Sequence, residues 1–144
     1  MIRACPACGK ANRIPFRHLT DSGRCGACKA ALPPQDAPID ADPDTFAAIV
    51  AATHVPILVD FWAGWCAPCK AAAPEVKKVA AQAAGRALVL KVDTDAHPAL
   101  ASRFGVSGIP NFLVLRHGRI VSQQAGLVPA AQMLRWIEAA AAIP

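Results

Sequence analysis

A cysteine pair placed directly after an apolar run constrains the fold more than any other feature of this chain. The run from Ile57 to Phe61 reads Ile-Leu-Val-Asp-Phe and predicts a strand that is buried on both faces. It is followed by Trp65-Cys66-Ala67-Pro68-Cys69-Lys70, in which the two cysteines lie about one helical turn apart. A buried strand that turns into a helix is the βα unit of an α/β protein, so we expect a sheet covered by helices.

The spacing of Cys66 and Cys69 is typical of a reversible disulfide. Cys66 is expected at the helix N-terminus, where unpaired N–H groups and the helix dipole stabilise a thiolate. It is therefore the predicted nucleophile, and Cys69, inside the helix, is the predicted resolving cysteine. Pro68 suits the first helical turn, where its missing N–H costs nothing, and holds the pair near disulfide geometry. A metal half-site and a structural disulfide are the alternatives.

The motif around Cys66 and Cys69 resembles the active site of the thioredoxin family, and the resemblance extends over about residues 39–143. The active-site pattern of that family is Trp-Cys-Gly-Pro-Cys-Lys, from which this chain departs at Ala67. A second departure is Asn111, where Thr commonly follows the loop proline. Further matches are spread along the sequence: Asp60, Pro74, Lys91, Gly108-Ile109-Pro110, Gly118 and Gly126. The resemblance implies an α/β thioredoxin fold, and the elements we expect follow the order βαβαβαββα, a mixed central sheet with helices on both faces.

One acidic residue interrupts the buried strand. A carboxyl at Asp60 among apolar neighbours should have a raised pKa and can accept a proton. The resemblance implies that Asp60 lies behind Cys69 and assists its deprotonation, with Lys91 on the next strand as a possible partner. The alternatives are an Asp60 that faces solvent at a strand edge and a Lys91 that is an ordinary exposed charge.

The resemblance also implies a substrate-binding surface around the cysteines. In this fold the proline that matches Pro110 follows a cis peptide bond and leaves the backbone of Ile109 open to an extended substrate strand. An ordinary trans turn is the alternative. Trp65, Ala67 and Pro68 are expected to complete the surface.

The other four cysteines predict a metal site. Cys5-Pro6-Ala7-Cys8 is followed, after sixteen residues, by Cys25-Gly26-Ala27-Cys28, and two such knuckles supply the four thiolates of a tetrahedral zinc centre. Gly9 and Gly26 are expected to allow the tight turns. Structural disulfides are the alternative. Because Met1-Ile2-Arg3-Ala4-Cys5 has no apolar signal-peptide core, we expect a reducing compartment, the cytoplasm, and hence zinc.

The expected domain organisation has three parts. Residues 1–32 form a zinc-ribbon module, residues 33–38 a Pro-rich linker and residues 39–144 the thioredoxin-like domain. About thirty residues cannot bury a sufficient core without a metal or disulfides. The linker sequence Pro-Pro-Gln-Asp-Ala-Pro predicts a stiff spacer between two self-contained units. The longest apolar runs have the length of strands, so no membrane partner is expected.

Positive charge is concentrated at the N-terminus. Residues 1–36 carry a net charge of +4 and the remaining residues carry +1. This charge either binds a phosphate backbone or offsets the negative charge of four zinc-bound thiolates. Since Phe16 is the only aromatic ring there, nucleic acid is not expected as a partner.

A zinc ribbon followed by a thioredoxin-like domain resembles thioredoxin 2, the zinc-ribbon-containing subfamily of bacterial thioredoxins. The resemblance implies a cytoplasmic protein-disulfide reductase that acts on oxidised proteins and is itself reduced by an NADPH-dependent thioredoxin reductase. We expect a monomer with one structural zinc ion and no organic cofactor. The alternative function is a zinc-ribbon binding module, or a redox-regulated chaperone or adaptor that uses the thioredoxin-like domain as a platform.

Overall fold

Nine strands and four α-helices make up the structure, a computed structural model that describes all 144 residues. In chain order the elements are β1 (Ile2–Ala4), β2 (Ala11–Arg13), a 3-10 turn (Phe16–His18), β3 (Gly23–Arg24), β4 (Ala31–Leu32), β5 (Ile39–Asp40), α1 (Pro43–Ala52), β6 (Ile57–Trp62), α2 (Ala67–Gln82), β7 (Leu88–Asp93), α3 (Pro98–Arg103), β8 (Asn111–Arg116), β9 (Arg119–Ala125) and α4 (Ala130–Ala141). From β5 onward they follow the expected order βαβαβαββα.

Strands β5 to β9 form one mixed sheet in the order β5-β7-β6-β8-β9. The central strand, β6, runs parallel to β7 on one side and antiparallel to β8 on the other. The edge strands are β5, parallel to β7, and β9, antiparallel to β8. The mixed sheet predicted from the sequence is therefore confirmed.

The two faces of this sheet are covered by different helices. On one face, Phe46 and Ile49 of α1 and Leu100 of α3 pack against β-strand side chains such as Val59. On the other face, Val76 of α2 and Met133 of α4 pack against residues such as Leu58 and Phe112. Side chains of a strand alternate between faces, so β6 contributes to both cores. None of the helices has the length and hydrophobicity needed to cross a membrane.

The N-terminal part is a ribbon of two short hairpins. Strand β1 pairs with β2, and β3 pairs with β4, both antiparallel. Its own core is small: Cys5, Cys25 and Leu32 are buried, with Ile14 and Ala30 packed against them. This residue set is too small to order the ribbon without a further constraint.

Leu19 of the ribbon belongs to the core of the α/β domain. It follows the 3-10 turn, is only 1% exposed and packs in the same cluster as Phe46 and Ile49. Its carbonyl oxygen accepts a hydrogen bond of 2.8 Å from the N–H of Gln35, a buried residue of the proposed linker. The sequence pattern predicted a spacer here and did not predict this contact. The boundaries at residues 32 and 38 stay predictions, but the ribbon contributes a side chain to the larger core.

We expect Leu19→Ala to destabilise the α/β domain by about 2–5 kcal/mol, the usual cost of such a cavity in a core. All three tryptophans lie after residue 39, so fluorescence during urea unfolding reports on that domain rather than on the ribbon. Leu127, 56% exposed, supplies the control: Leu127→Ala makes the same chemical change at the surface and should have little effect. Equal midpoints for wild type and Leu19→Ala would show that the ribbon does not support this core.

Candidate active site and metal centre

The first site lies where β6 ends and α2 begins. Strand β6 is buried from Ile57 to Phe61, and the chain then turns so that Cys66 becomes the N-cap residue of α2. Pro68 lies in the first turn of that helix, where a missing N–H removes no helical hydrogen bond. The positions predicted along the helix, with Cys66 at its start and Cys69 inside it, are those the structure shows.

Cys66 and Cys69 form a disulfide, with their Cα atoms 5.2 Å apart. The N–H of Cys69 donates to the sulfur of Cys66 over 3.2 Å. This N–H is one of the donors that a helix leaves free at its first turn, so it stabilises negative charge on that sulfur after reduction. The sequence also predicted that Cys69 lies deeper, but the two residues are 3% and 5% exposed. Trp62 and Ile109 pack against the cluster that contains both cysteines, so position on the helix rather than depth distinguishes them.

A loop before β8 faces the disulfide. The peptide bond between Ile109 and Pro110 is cis. The carbonyl oxygen of Ile109 lies 3.8 Å from the sulfur of Cys66, and neither its C=O nor its N–H pairs with another backbone group. The Ile109 backbone is therefore available to a strand laid across the disulfide. Around it, Trp65 is 71% exposed, and Ala67 and Pro68 are exposed as well.

Asp60 is a buried acidic residue of the central strand. It lies on β6, is 2% exposed, and its Oδ1 atom has no hydrogen-bond partner. Burial raises the pKa of this carboxyl to about 6, although the positive charge of Lys91 acts in the opposite direction. The Asp60 carboxylate can therefore accept a proton close to neutral pH. Its side chain lies on the same face of the sheet as Leu58, the face covered by α2.

Lys91 lies beside Asp60 without forming an ion pair. The two residues are directly opposite each other on the parallel strands β7 and β6. The Nζ atom of Lys91 lies 4.7 Å from the ring centroid of Trp62, a cation–π contact, and no carboxylate oxygen lies within 4.0 Å of it. The ammonium group of Lys91 thus acts on Asp60 through space rather than through a hydrogen bond.

The second site is a cluster of four cysteines in the ribbon. The sulfurs of Cys5, Cys8, Cys25 and Cys28 all lie within 4.8 Å of one another. Cys5 and Cys28 are 3.6 Å apart between sulfurs, and Cys8 and Cys25 are 3.7 Å apart. With Zn–S bonds of about 2.3 Å, sulfurs at the corners of a tetrahedron lie about 3.8 Å apart. The cluster fits a structural zinc ion with four thiolate ligands.

The two knuckles repeat the same backbone pattern. In each, the N–H two residues after the first cysteine donates to its sulfur over 3.4 Å, from Ala7 in one case and Ala27 in the other. In each, the residue four positions after that cysteine has a positive φ: Gly9 at 77° and Lys29 at 66°. Gly26, which the sequence suggested for the second turn, is not at positive φ. The left-handed residue of this knuckle is a lysine, at a cost of about 1 kcal/mol.

Hydrogen bonds favour the charged form of the Cys5 and Cys25 thiols. The pKa of Cys8 is instead raised to about 12, because the backbone hydrogen bond at Lys10 is outweighed by Cys28, by burial and by the other two cysteines. The backbone N–H groups of Cys28 and Ala27, together with the side chain of Asn12, lower the pKa of Cys25 to about 6. A thiol that is already a thiolate near neutral pH is the form a metal binds. His18 does not compete as a ligand, because its ring nitrogens contact Asp21 and Arg17 at 2.7 and 3.1 Å.

The structure brings the predicted active-site residues together at one end of β6. Cys66, Cys69, Ile109 and Trp62 share one cluster, and Asp60 lies on the strand that leads to it. The sequence missed the packing role of Leu19, because its neighbours in the core, such as Phe46 and Ile49, lie far along the chain. The only sequence signal for Leu19 was an isolated apolar residue in a polar stretch.

Comparisons with known proteins agree with this geometry. Residues 37–139 match the thioredoxin family model, and residues 4–30 match the model described as the N-terminal part of thioredoxin 2. Thioredoxin C-3 of Corynebacterium nephridii is 33% identical over 138 residues, which cover 96% of this chain and 94% of that protein.

Other relatives match a smaller share of this chain. A thioredoxin of Haemophilus influenzae is 39% identical over 68% of this chain and 89% of its own length. A solved structure of a mutant thioredoxin from Halobacterium salinarum superposes with a TM-score of 0.69 at 32% identity, and covers 76% of this chain and 96% of that one. The chain belongs to the thioredoxin family of thiol-disulfide oxidoreductases and carries the zinc-ribbon extension of thioredoxin 2.

Proposed function

We propose that this oxidoreductase works as a protein-disulfide reductase, with Cys66 as the nucleophile and Cys69 as the resolving cysteine. The observation that carries the proposal is the position of the Cys66 sulfur. It accepts a hydrogen bond from the Cys69 N–H at the start of α2 and faces the unpaired backbone of Ile109. The site thus combines a stabilised thiolate with a place for an extended substrate.

The reaction proceeds by two thiol-disulfide exchanges. The Cys66 thiolate attacks one sulfur of a substrate disulfide; the substrate S–S bond breaks, and its other sulfur leaves as a thiolate that takes up a proton. Cys69 then loses its proton and attacks the Cys66 sulfur, which releases the second substrate thiol. The substrate gains two electrons, and Cys66 and Cys69 are left as the disulfide seen in the structure.

Asp60 is the proposed acceptor of the Cys69 proton. Its carboxyl is buried, has an unpartnered oxygen and has a pKa raised to about 6, so it is largely ionised at neutral pH and still binds a proton readily. Lys91 is the proposed partner that limits this rise in pKa by its positive charge.

The surface around the disulfide is the proposed substrate-binding site. The Ile109 N–H and C=O pair with the backbone of an extended substrate segment, and Pro110 holds that backbone next to Cys66. Trp65, Ala67 and Pro68 supply the exposed contact area on the other side. Because backbone groups dominate, we expect a broad range of oxidised proteins as substrates.

The proposed cellular setting is the cytoplasm, where a reducing environment keeps the ribbon thiols free to bind zinc. There an NADPH-dependent thioredoxin reductase would return two electrons to the Cys66–Cys69 disulfide after each cycle. Cys5, Cys8, Cys25 and Cys28 would hold the zinc ion, which supplies structural cross-linking and takes no part in disulfide exchange.

The roles of the two cysteines are tested by trapping. Cys69→Ser should accumulate a mixed disulfide between Cys66 and a substrate such as insulin, because the first exchange occurs and the second cannot. Cys66→Ser, the matched control, should trap nothing, and both variants should lose insulin reduction. Non-reducing electrophoresis and peptide mapping give the readout. A mixed disulfide formed by Cys66→Ser would reverse the assignment.

Asp60→Asn should slow resolution of the mixed disulfide at neutral pH by roughly tenfold or more, because the proton acceptor is removed. It should also stabilise the fold, in a way that depends on pH. The pKa of Asp60 is raised from 3.8 to about 6 on folding. The free energy of unfolding of the wild type therefore falls by up to roughly 3 kcal/mol as the pH rises through that range.

Urea unfolding should therefore show Asp60→Asn more stable than wild type at pH 8 and equal to it below pH 4. Glu138→Gln, at an exposed carboxyl on α4, is the control for loss of one negative charge. Unchanged resolution rates across the neutral range would refute the relay, whatever the stability result.

The ribbon should hold one zinc ion per chain. Cys25→Ser combined with Cys28→Ser removes two of the four ligands and should abolish metal binding, measured by elemental analysis of the reduced protein. Cys66→Ser combined with Cys69→Ser changes the same number of thiols and should keep the full zinc content. Zinc that stays with the ribbon variant, or leaves with the active-site variant, would disprove the assignment.

A further inference from the structure

Lys91 has a carboxylate directly opposite it on each side. Strand β7 lies between β5 and β6, and Lys91 is in register with Asp40 on β5 and with Asp60 on β6. Neighbouring strands are about 5 Å apart, and residues in register point to the same face of a sheet. One lysine therefore lies in a row between two aspartates.

The two aspartates differ in their access to water. Asp60 is buried, whereas Asp40 is exposed and Lys91 is half-buried between them. The ammonium group of Lys91 lies over the Trp62 ring and within 4.0 Å of neither carboxylate. Its charge is thus not held by Asp60 in an ion pair, and Asp40 provides a second carboxylate on the outer side.

Asp40 and Lys91 also line the same two clefts. One has a volume of about 390 Å³ and includes Trp62, and the other, of about 250 Å³, includes Lys77 of α2. Asp60 lines neither cleft, whereas Lys91, which is in register with it, lines both. A change in the position of Lys91 would alter both the charge and the hydration next to Asp60.

Other charged groups line these clefts, but their positions favour Asp40 as the competitor. Lys77 comes from α2, and Asp42, Asp93 and His97 line the larger cleft. Asp42 caps α1 by accepting from the N–H of Thr45, and Asp93 accepts backbone N–H bonds in the following turn. The Asp40 side chain makes no hydrogen bond, and it is the only one of these acids in register with Lys91.

We propose that Asp40 is a positioning residue for the proton relay: it draws the Lys91 ammonium group outward and so keeps Asp60 a strong enough base to accept the proton of Cys69. The proposal rests on the proposed role of Asp60. If Asp40 is neutralised, Lys91 acts on Asp60 alone, the ionised form of Asp60 is stabilised, and its affinity for a proton falls.

The direct test is a pH titration of the Asp60 carboxyl by carbon-13 NMR in the oxidised, full-length protein. Asp40→Asn should lower the titration midpoint of Asp60 by roughly 0.3–1 pH unit, a shift of the size expected for a nearby charge. Asp40→Glu, which keeps the charge, should restore a midpoint near that of wild type. Glu138→Gln removes a charge from α4 and should leave the midpoint unchanged. No shift in Asp40→Asn, or an upward shift, would overturn the proposal.

A double-mutant cycle shows whether the effect passes through Lys91. In a Lys91→Met background the Asp40→Asn shift should fall to less than half, because the shared cation is gone. An equal shift in both backgrounds would mean direct repulsion between the aspartates and would contradict the sharing of Lys91.

The pH dependence of mixed-disulfide resolution in Asp40→Asn should move in the same direction as the Asp60 midpoint. If the midpoint moves and the resolution rate does not, the relay role of Asp60 fails while the sharing of Lys91 stands, so the two proposals are tested separately.

Discussion

The burial of β6 is the constraint on which the rest of the structure depends. The strand is hydrogen-bonded to β7 and β8 and covered by helices on both faces, so its register in the sheet is fixed. This fixed strand delivers Cys66 to the start of α2. It also carries Asp60 into a dry environment, where desolvation raises its pKa to about 6. The position of the proposed nucleophile and the basicity of the proposed proton acceptor thus have the same physical origin.

Local sequence signals were sufficient for the features that depend on local chemistry. The apolar run of β6, the Cys66–Cys69 spacing and the two knuckles predicted the sheet, the redox site and the metal cluster, because each is specified by residues close together in the chain. The tight turn of the second knuckle was assigned to Gly26, yet the residue at positive φ is Lys29, which lies four positions after Cys25 as Gly9 lies four positions after Cys5. Asp40 was missed because its relation to Lys91 depends on strand register, which a short edge strand does not encode locally.

The ribbon shows how a unit with little core can be ordered. Three buried residues and two partly buried ones provide limited hydrophobic stabilisation, so a metal ion held by four thiolates would replace the missing core as a cross-link. Leu19 adds a third contribution by packing outside the ribbon, among residues of α1 and the sheet. The ribbon is therefore stabilised at two places, by its four-cysteine cluster and by its contact with the larger domain.

The location of Leu19 near the start of the chain has a consequence for the order of events during synthesis. The cluster that buries it includes residues as late as Leu115 of β8, so that core closes only after most of the polypeptide has left the ribosome. The four cysteines of the ribbon end at Cys28, so they could gather around a metal ion much earlier. In a metal-bound ribbon, Leu19 would then stay exposed to solvent until the later strands and helices are synthesised and pack against it.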